Sequence, residues 1–268
     1  IAGELLRTSF EQKLALAIAG AGAGLQFHIS AINSVLGSEV IPTSTDHIPE
    51  VWGYHSVLTM PHFALSLAAL ALAVLGLVRA EDRPDRRWSV MAFIGVAVLT
   101  HVHPYTSMVM LPTIGLHGLA KLLSGRRSSL STSAWALAGA VPSIALLAYS
   151  YLTNPAARRW AETVRLPSPD PVHYLLGLGL VAPLAIVGIV HALRNRSLTA
   201  RYALLLIWLA VGLVAIYSAP INPLERRCVE GLHLPAALLA ALGAGSLLPG
   251  LQRALRSRRA AVIAVAAV

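Results

Sequence analysis

Apolar residues run along this chain in long stretches broken by short polar clusters, at roughly 13–33, 56–78, 88–102, 104–122, 132–152, 173–193, 202–219 and 231–250. A hydrocarbon core about 30 Å thick needs about 20 helical residues, so most of these runs are long enough to span a bilayer. The 88–102 run is short, which predicts that it is tilted or continues into its partner through a break at His103-Pro104. Another apolar run starts near residue 260 and is cut off at Val268. The fold class this pattern predicts is all-α: a polytopic transmembrane helix bundle of about eight spans plus a truncated ninth, forming a single transmembrane domain over 1–268.

Composition agrees with the pattern. Hydrophobic residues make up 56% of the chain and charged residues 12%, with a mean hydropathy of +0.67. An ordinary soluble domain carries about a quarter charged residues. The chain opens at Ile1 without an initiator Met and stops inside the run AAVIAVAAV, so it reads as a fragment of a longer chain. No signal peptide with a cleavage site is visible, and Cys228, the lone cysteine, allows no internal disulfide.

Basic residues then orient the spans. Alternate connections collect Arg7 and Lys13; Arg79, Arg83, Arg86 and Arg87; Lys121, Arg126 and Arg127; Arg194, Arg196 and Arg201; and Arg253, Arg256, Arg258 and Arg259. The opposite side holds only Arg158, Arg159, Arg165, Arg226 and Arg227. Sixteen against five places the first side in the cytoplasm of a plasma-membrane protein. Most of the formal net charge of +9 is therefore a topology signal. Because the basic residues sit in short turns between spans and not on a soluble face, the lipid bilayer is the expected partner and nucleic acid is not.

Polar chemistry collects on the outward side, in the connections 37–55, 153–173 and 218–233 and at His101-Val102-His103-Pro104-Tyr105. Arg226 and Arg227 break the positive-inside trend beside the start of a span, where arginine is costly. Such a pair either binds an anion, phosphate oxygens matching the guanidinium fork, or pairs with Glu225 and Glu230. His101 and His103 could approach one ligand, because Pro104 disfavours helix at His103. They read as hydrogen-bonding groups for substrate, as histidines satisfied inside the bundle, or as ligands of a divalent metal completed by Asp46, His47, Glu50 or His55. No spacing requires a metal and no motif requires a cofactor. Asp46 and Glu50, in the loop leading to Trp52 and Tyr54, are the candidate catalytic carboxylates; polar loops also carry acids with no such role.

The order of the segments TDHIPEVWGYHSVLTMPHFALSLAALAL, LTHVHPYTSMVMLP, LPSPDPVHYLLGLGLVAPLAIVGIV and YSAPINPLERRCVEGLHLPAALLAALG resembles bacterial polytopic membrane proteins of the GT-C glycosyltransferase superfamily, akin to protein O-mannosyltransferases and lipid A aminoarabinose transferases. The resemblance covers about 13–250. It implies outward-facing loops over a helix bundle and a polyprenyl-phosphate-linked sugar as donor, transferred to an acceptor at the outer face. It also implies a catalytic acid in the first outer loop, which this chain would carry in a missing N-terminal portion, with Asp46 and Glu50 in a later loop. Substrate would then meet His101, His103, Tyr105, Arg226, Arg227 and Glu230. The rival expectation is a multi-pass transporter or flippase for a lipid-linked or anionic solute, which predicts broken helices near the midplane, in corresponding positions of two repeats. The span centres are Ala, Leu, Val and Gly with no visible repeat. A noncatalytic membrane scaffold is a third reading.

Overall fold

The computed structural model describes residues 1–21, 34–37, 61–83, 85–125, 130–218, 224–255, 257 and 262. Among the described residues every regular element is helical: α1 Ala2–Leu5, α2 Ser9–Ala21, α3 Pro61–Asp82, α4 Arg86–Val102, α5 Pro104–Leu123, α6 Leu130–Thr153, α7 Pro155–Thr163, α8 Pro171–Leu178, α9 Val181–Arg194, α10 Arg196–Ala215, a 3-10 turn at Glu225–Val229, and α11 His233–Leu255. Four helices, His62–Asp82, Pro104–Leu123, Leu130–Thr153 and His233–Leu255, are long and apolar enough to cross a membrane. Val181–Arg194 and Arg201–Ala215 are apolar but shorter. Eight predicted runs thus give four helices of spanning length among the described residues. Two shortfalls have visible causes. The 173–193 run is divided into α8 and α9 at Gly179, whose φ of +53° turns the backbone left-handed. The 88–102 run gives the 17-residue α4, about 26 Å long, which ends where Pro104 starts the next helix.

The described chain falls into two compact units, drawn from 56–168 and 207–231 (with Ile1), and from 2–55, 169–206 and 232–268. In the first, α3 and α4 pack antiparallel at close range. A Cβ on Gly76 would lie 2.7 Å from the Trp88 carbonyl, and one on Gly95 would lie 2.5 Å from the Ala73 amide nitrogen. Small residues let backbones approach this closely, which is how apolar helices gain contact when lipid competes for the same surface. His103 ends α4, its backbone N–H bonding Leu99, and α5 returns from it. The α6 helix runs alongside α4, with the Ser89 and Thr132 hydroxyls 2.8 Å apart. Much of this helix is exposed, with Val141, Leu146, Leu147 and Leu152 facing outward. An apolar outer surface of this kind is what a lipid-facing helix presents.

In the second unit α9 and α11 pack through Gly188 and Gly243, each of whose missing Cβ would strike the facing backbone. A capping box begins α2: the Glu11 amide donates to the Thr8 hydroxyl and the Thr8 amide to the Glu11 carboxylate, each at 3.1 Å. Arg201 Nε and Tyr202 OH both donate to the Leu5 carbonyl, at 2.7 and 3.1 Å, satisfying the end of α1.

Gly95→Leu is expected to destabilise the protein by about 1–3 kcal/mol through forced separation of α3 and α4. Gly115→Leu, where nothing lies within 4 Å of the added carbon, should be near neutral. Unfolding of the two purified variants in mixed detergent micelles checks this.

Candidate functional site

Local sequence dictates the turn between α4 and α5. Pro104 disfavours helix at His103, whose backbone sits at φ −142°, ψ 79°, while the proline ring suits the first position of the next helix. The turn carries the His103 ring into the first unit, only 4% exposed, against Phe63 (centroids 5.1 Å), Tyr105 (5.6 Å) and His62 (6.2 Å).

The chain also returns here. Leu224 leads into the 3-10 turn Glu225–Val229, and Gly231 follows at φ +82°, a conformation that favours glycine. A Cβ on Gly231 would meet Leu70 at 2.6 Å, so this glycine lets the turn lie flat on α3. Glu230, 1% exposed, is thereby buried between Ser66 and His103. Its Oε1 accepts a short hydrogen bond from the Ser66 hydroxyl, and its Oε2 stands 2.8 Å from His103 Nδ1. The Thr106 hydroxyl is also 2.8 Å from Nδ1. Oε2 stands at hydrogen-bond distance from Nδ1 without the alignment of a hydrogen bond, and the hydrogen-bonding direction of Nδ1 is taken by the Thr106 hydroxyl. A buried carboxylate without partners would be costly; this one is held by Ser66 on α3 and by His103 at the α4–α5 turn, which Thr106 at the head of α5 bonds in turn.

Glu225, 4% exposed, turns inward too, and its Oε1 accepts from the Ser168 amide at 2.8 Å. The Arg226 amide donates to the Leu166 carbonyl at 3.2 Å. The segment after α7 is therefore pinned to the 3-10 turn from both sides. Both carboxylates beside the arginine pair are engaged elsewhere. Arg226 is half-buried, and its Nε is buried with no hydrogen-bond partner among the described residues. Arg227 lies within electrostatic reach of Tyr105.

Of the residues singled out in the sequence, the structure thus brings together His103, Tyr105, Glu230 and the turn bearing Arg226 and Arg227. His101 is exposed on the last turn of α4 and joins no hydrogen bond or ion pair among the described residues. Asp46, Glu50, His47 and His55 lie outside the described residues. Among those described, no three His, Cys, Asp or Glu side chains gather as metal ligands would.

Sequence reasoning passed over three members. Ser66 looks like any small residue of an apolar helix, and nothing in its neighbours announces a carboxylate 164 residues away. The other two, Glu81 and His117, form with Lys121 a second cluster at the far end of the same unit, about 22 Å along α3. There Glu81 takes His117 Nε2 at 3.1 Å and the Lys121 ammonium in a short ion pair. His117 and Lys121 stand one turn apart on α5, a spacing that could have identified a shared partner.

Replacing Lys121 by Met is expected to cost about 3–5 kcal/mol, since it leaves Glu81 half-compensated, whereas Glu81→Gln with Lys121→Met should cost clearly less than the sum of the singles. A double-mutant cycle in unfolding free energy measures this. Comparison with protein-family models, with curated proteins and with solved structures finds no match for the chain.

Proposed function

We propose that this chain is the membrane part of a glycosyltransferase that moves a sugar from a polyprenyl-phosphate donor to an acceptor at the outer face of the plasma membrane, its eight apolar runs crossing the bilayer in alternation. The reading is carried by one observation: the two carboxylates of the arginine turn are committed elsewhere, Glu225 to the Ser168 amide and Glu230 to Ser66 and His103. Arginine at the edge of a membrane needs an anion, and the guanidinium of Arg226 has no carboxylate of its own turn to take. A lipid phosphate suits it, because the planar fork matches phosphate oxygens and the polyprenyl tail can lie among apolar helices.

In this reading the acceptor oxygen attacks the anomeric carbon as the bond to the lipid phosphate breaks. Arg226 and Arg227 then hold the charge that develops on the departing phosphate, a contact that strengthens toward the transition state. Clustering of the α4–α5 turn, the 164–168 segment and the arginine turn at one end of the first unit supports a common face for these groups.

Undecaprenyl phosphate tests the phosphate reading without knowledge of the sugar. At a hundredfold excess over its Kd it should stabilise the detergent-solubilised protein by about 2.7 kcal/mol, a rise of several degrees in Tm, and undecaprenol should not. The Arg226→Ala, Arg227→Ala double variant should lose the rise while keeping its own melting transition. An equal rise with undecaprenol, or in the double variant, removes the phosphate role. For sidedness, single cysteines at Ser168 and Ser124 in a Cys228→Ser background should react with an impermeant thiol reagent on intact cells at 168 and not at 124. The reverse pattern inverts the topology.

A further inference from the structure

We propose that His103 is the catalytic base of this site and that Glu230 is the positioning residue that makes it one, an assignment that rests on the transferase reading above. A carboxylate oxygen 2.8 Å from His103 Nδ1 repels a lone pair there and attracts a proton, even though the in-plane direction of Nδ1 points to the Thr106 hydroxyl. The Ser66 hydroxyl decides where it belongs. It donates to Oε1, a charge-assisted bond that favours the ionised carboxylate, so that negative charge lies beside Nδ1, whose proton the Thr106 hydroxyl accepts. The proton is then on Nδ1 and the lone pair on Nε2.

This is the less common neutral form of histidine, and it is the form a base requires: the nitrogen next to the backbone is anchored, and the outer nitrogen is free to take a proton. No described residue bonds Nε2, and the competing role for Nδ1, accepting the Thr106 amide as a helix cap, has the longer distance of 3.4 Å. The charged and titratable groups around the ring are Glu230, His62 and Tyr105, with Arg227 beyond Tyr105. Tyr105, whose ring packs edge-on to His103, lies within electrostatic reach of Arg227 on the arginine turn.

The chemistry balances. The acceptor O–H gives its proton to Nε2, and its oxygen pair forms the new bond to the anomeric carbon. The bond from that carbon to the phosphate oxygen breaks with its electrons on the oxygen. The imidazolium, held by Glu230, returns its proton to water.

Two-bond proton–nitrogen NMR correlation on the full chain labelled with [15N]histidine, at about pH 8 where an ordinary imidazole is neutral, reads the form directly. Difference from His103→Gln assigns the signal among ten histidines. The expected pattern is Nδ1 protonated and Nε2 bare; the opposite pattern overturns the assignment. Glu230→Gln, nearly the same shape, separates positioning from packing: with the Ser66 hydroxyl donating to the amide oxygen, the amide NH2 faces Nδ1 and should switch the proton to Nε2. An unchanged pattern in a folded Glu230→Gln protein denies Glu230 its role.

Location is read with diethyl pyrocarbonate, which acylates a bare ring nitrogen. Peptide mass spectrometry should find His103 modified in the wild type and not in Glu230→Gln. Undecaprenyl phosphate at ten times its Kd should slow that modification about tenfold, while exposed His101 reacts unchanged. A bound lipid that leaves His103 equally reactive overturns the base. If instead the expected ring form is present but undecaprenyl phosphate does not bind, the transferase reading fails and the carboxylate-held imidazole stands.

Discussion

Everything at one end of the first unit depends on a buried carboxylate that cannot be left alone. Glu230 is inside a bundle of apolar helices, where an uncompensated charge would cost several kcal/mol. Its compensation comes from Ser66 on α3, from His103 at the turn between α4 and α5, and through His103 from Thr106 on α5. Electrostatic need therefore fixes which face of the 3-10 turn points inward. With the glutamates turned in, Arg226 and Arg227 beside them are half-buried on the turn. The same constraint that stabilises this end also holds the His103 imidazole beside the carboxylate.

The rest of the fold serves to bring those groups together. The hydrophobic effect does not distinguish one apolar helix from another inside lipid, so close approach must do so. Gly76 and Gly95 set the distance between α3 and α4, and with it the distance from Ser66 to the His103 turn. Gly231 lets the returning chain lie against Leu70. At the opposite end of the unit, Glu81 on α3 meets His117 and Lys121 on α5, an ionic contact that joins the two helices there.

What the sequence made legible follows from the range of each physical signal. Helical class and the positions of α3, α5, α6 and α11 were visible because a bilayer demands continuous apolar length. The break at His103-Pro104 was visible because proline acts on its own neighbours, and the arginine turn because charge is rare here. The division of the 173–193 run at Gly179 was not anticipated, since an apolar stretch containing glycine looks the same whether it is one helix or two. The partners of Glu230 were hidden for a different reason. A serine on one helix and a glutamate 164 residues later share no local pattern, and only the packing of α3 against the 3-10 turn makes them neighbours. By sequence proximity Glu225 and Glu230 were one of two kinds of partner open to Arg226 and Arg227; the contacts these inward-turned carboxylates make with Ser168, Ser66 and His103 come from segments far away in the chain.

The central claim is that Glu230 and His103 act as one unit. A double-mutant cycle with His103→Gln and Glu230→Leu, followed by unfolding in mixed micelles, measures it most directly. The account predicts strong coupling, about 1–3 kcal/mol, with each single substitution costing nearly as much as both together. Additive losses would show that the two side chains do not depend on each other, and would contradict the account.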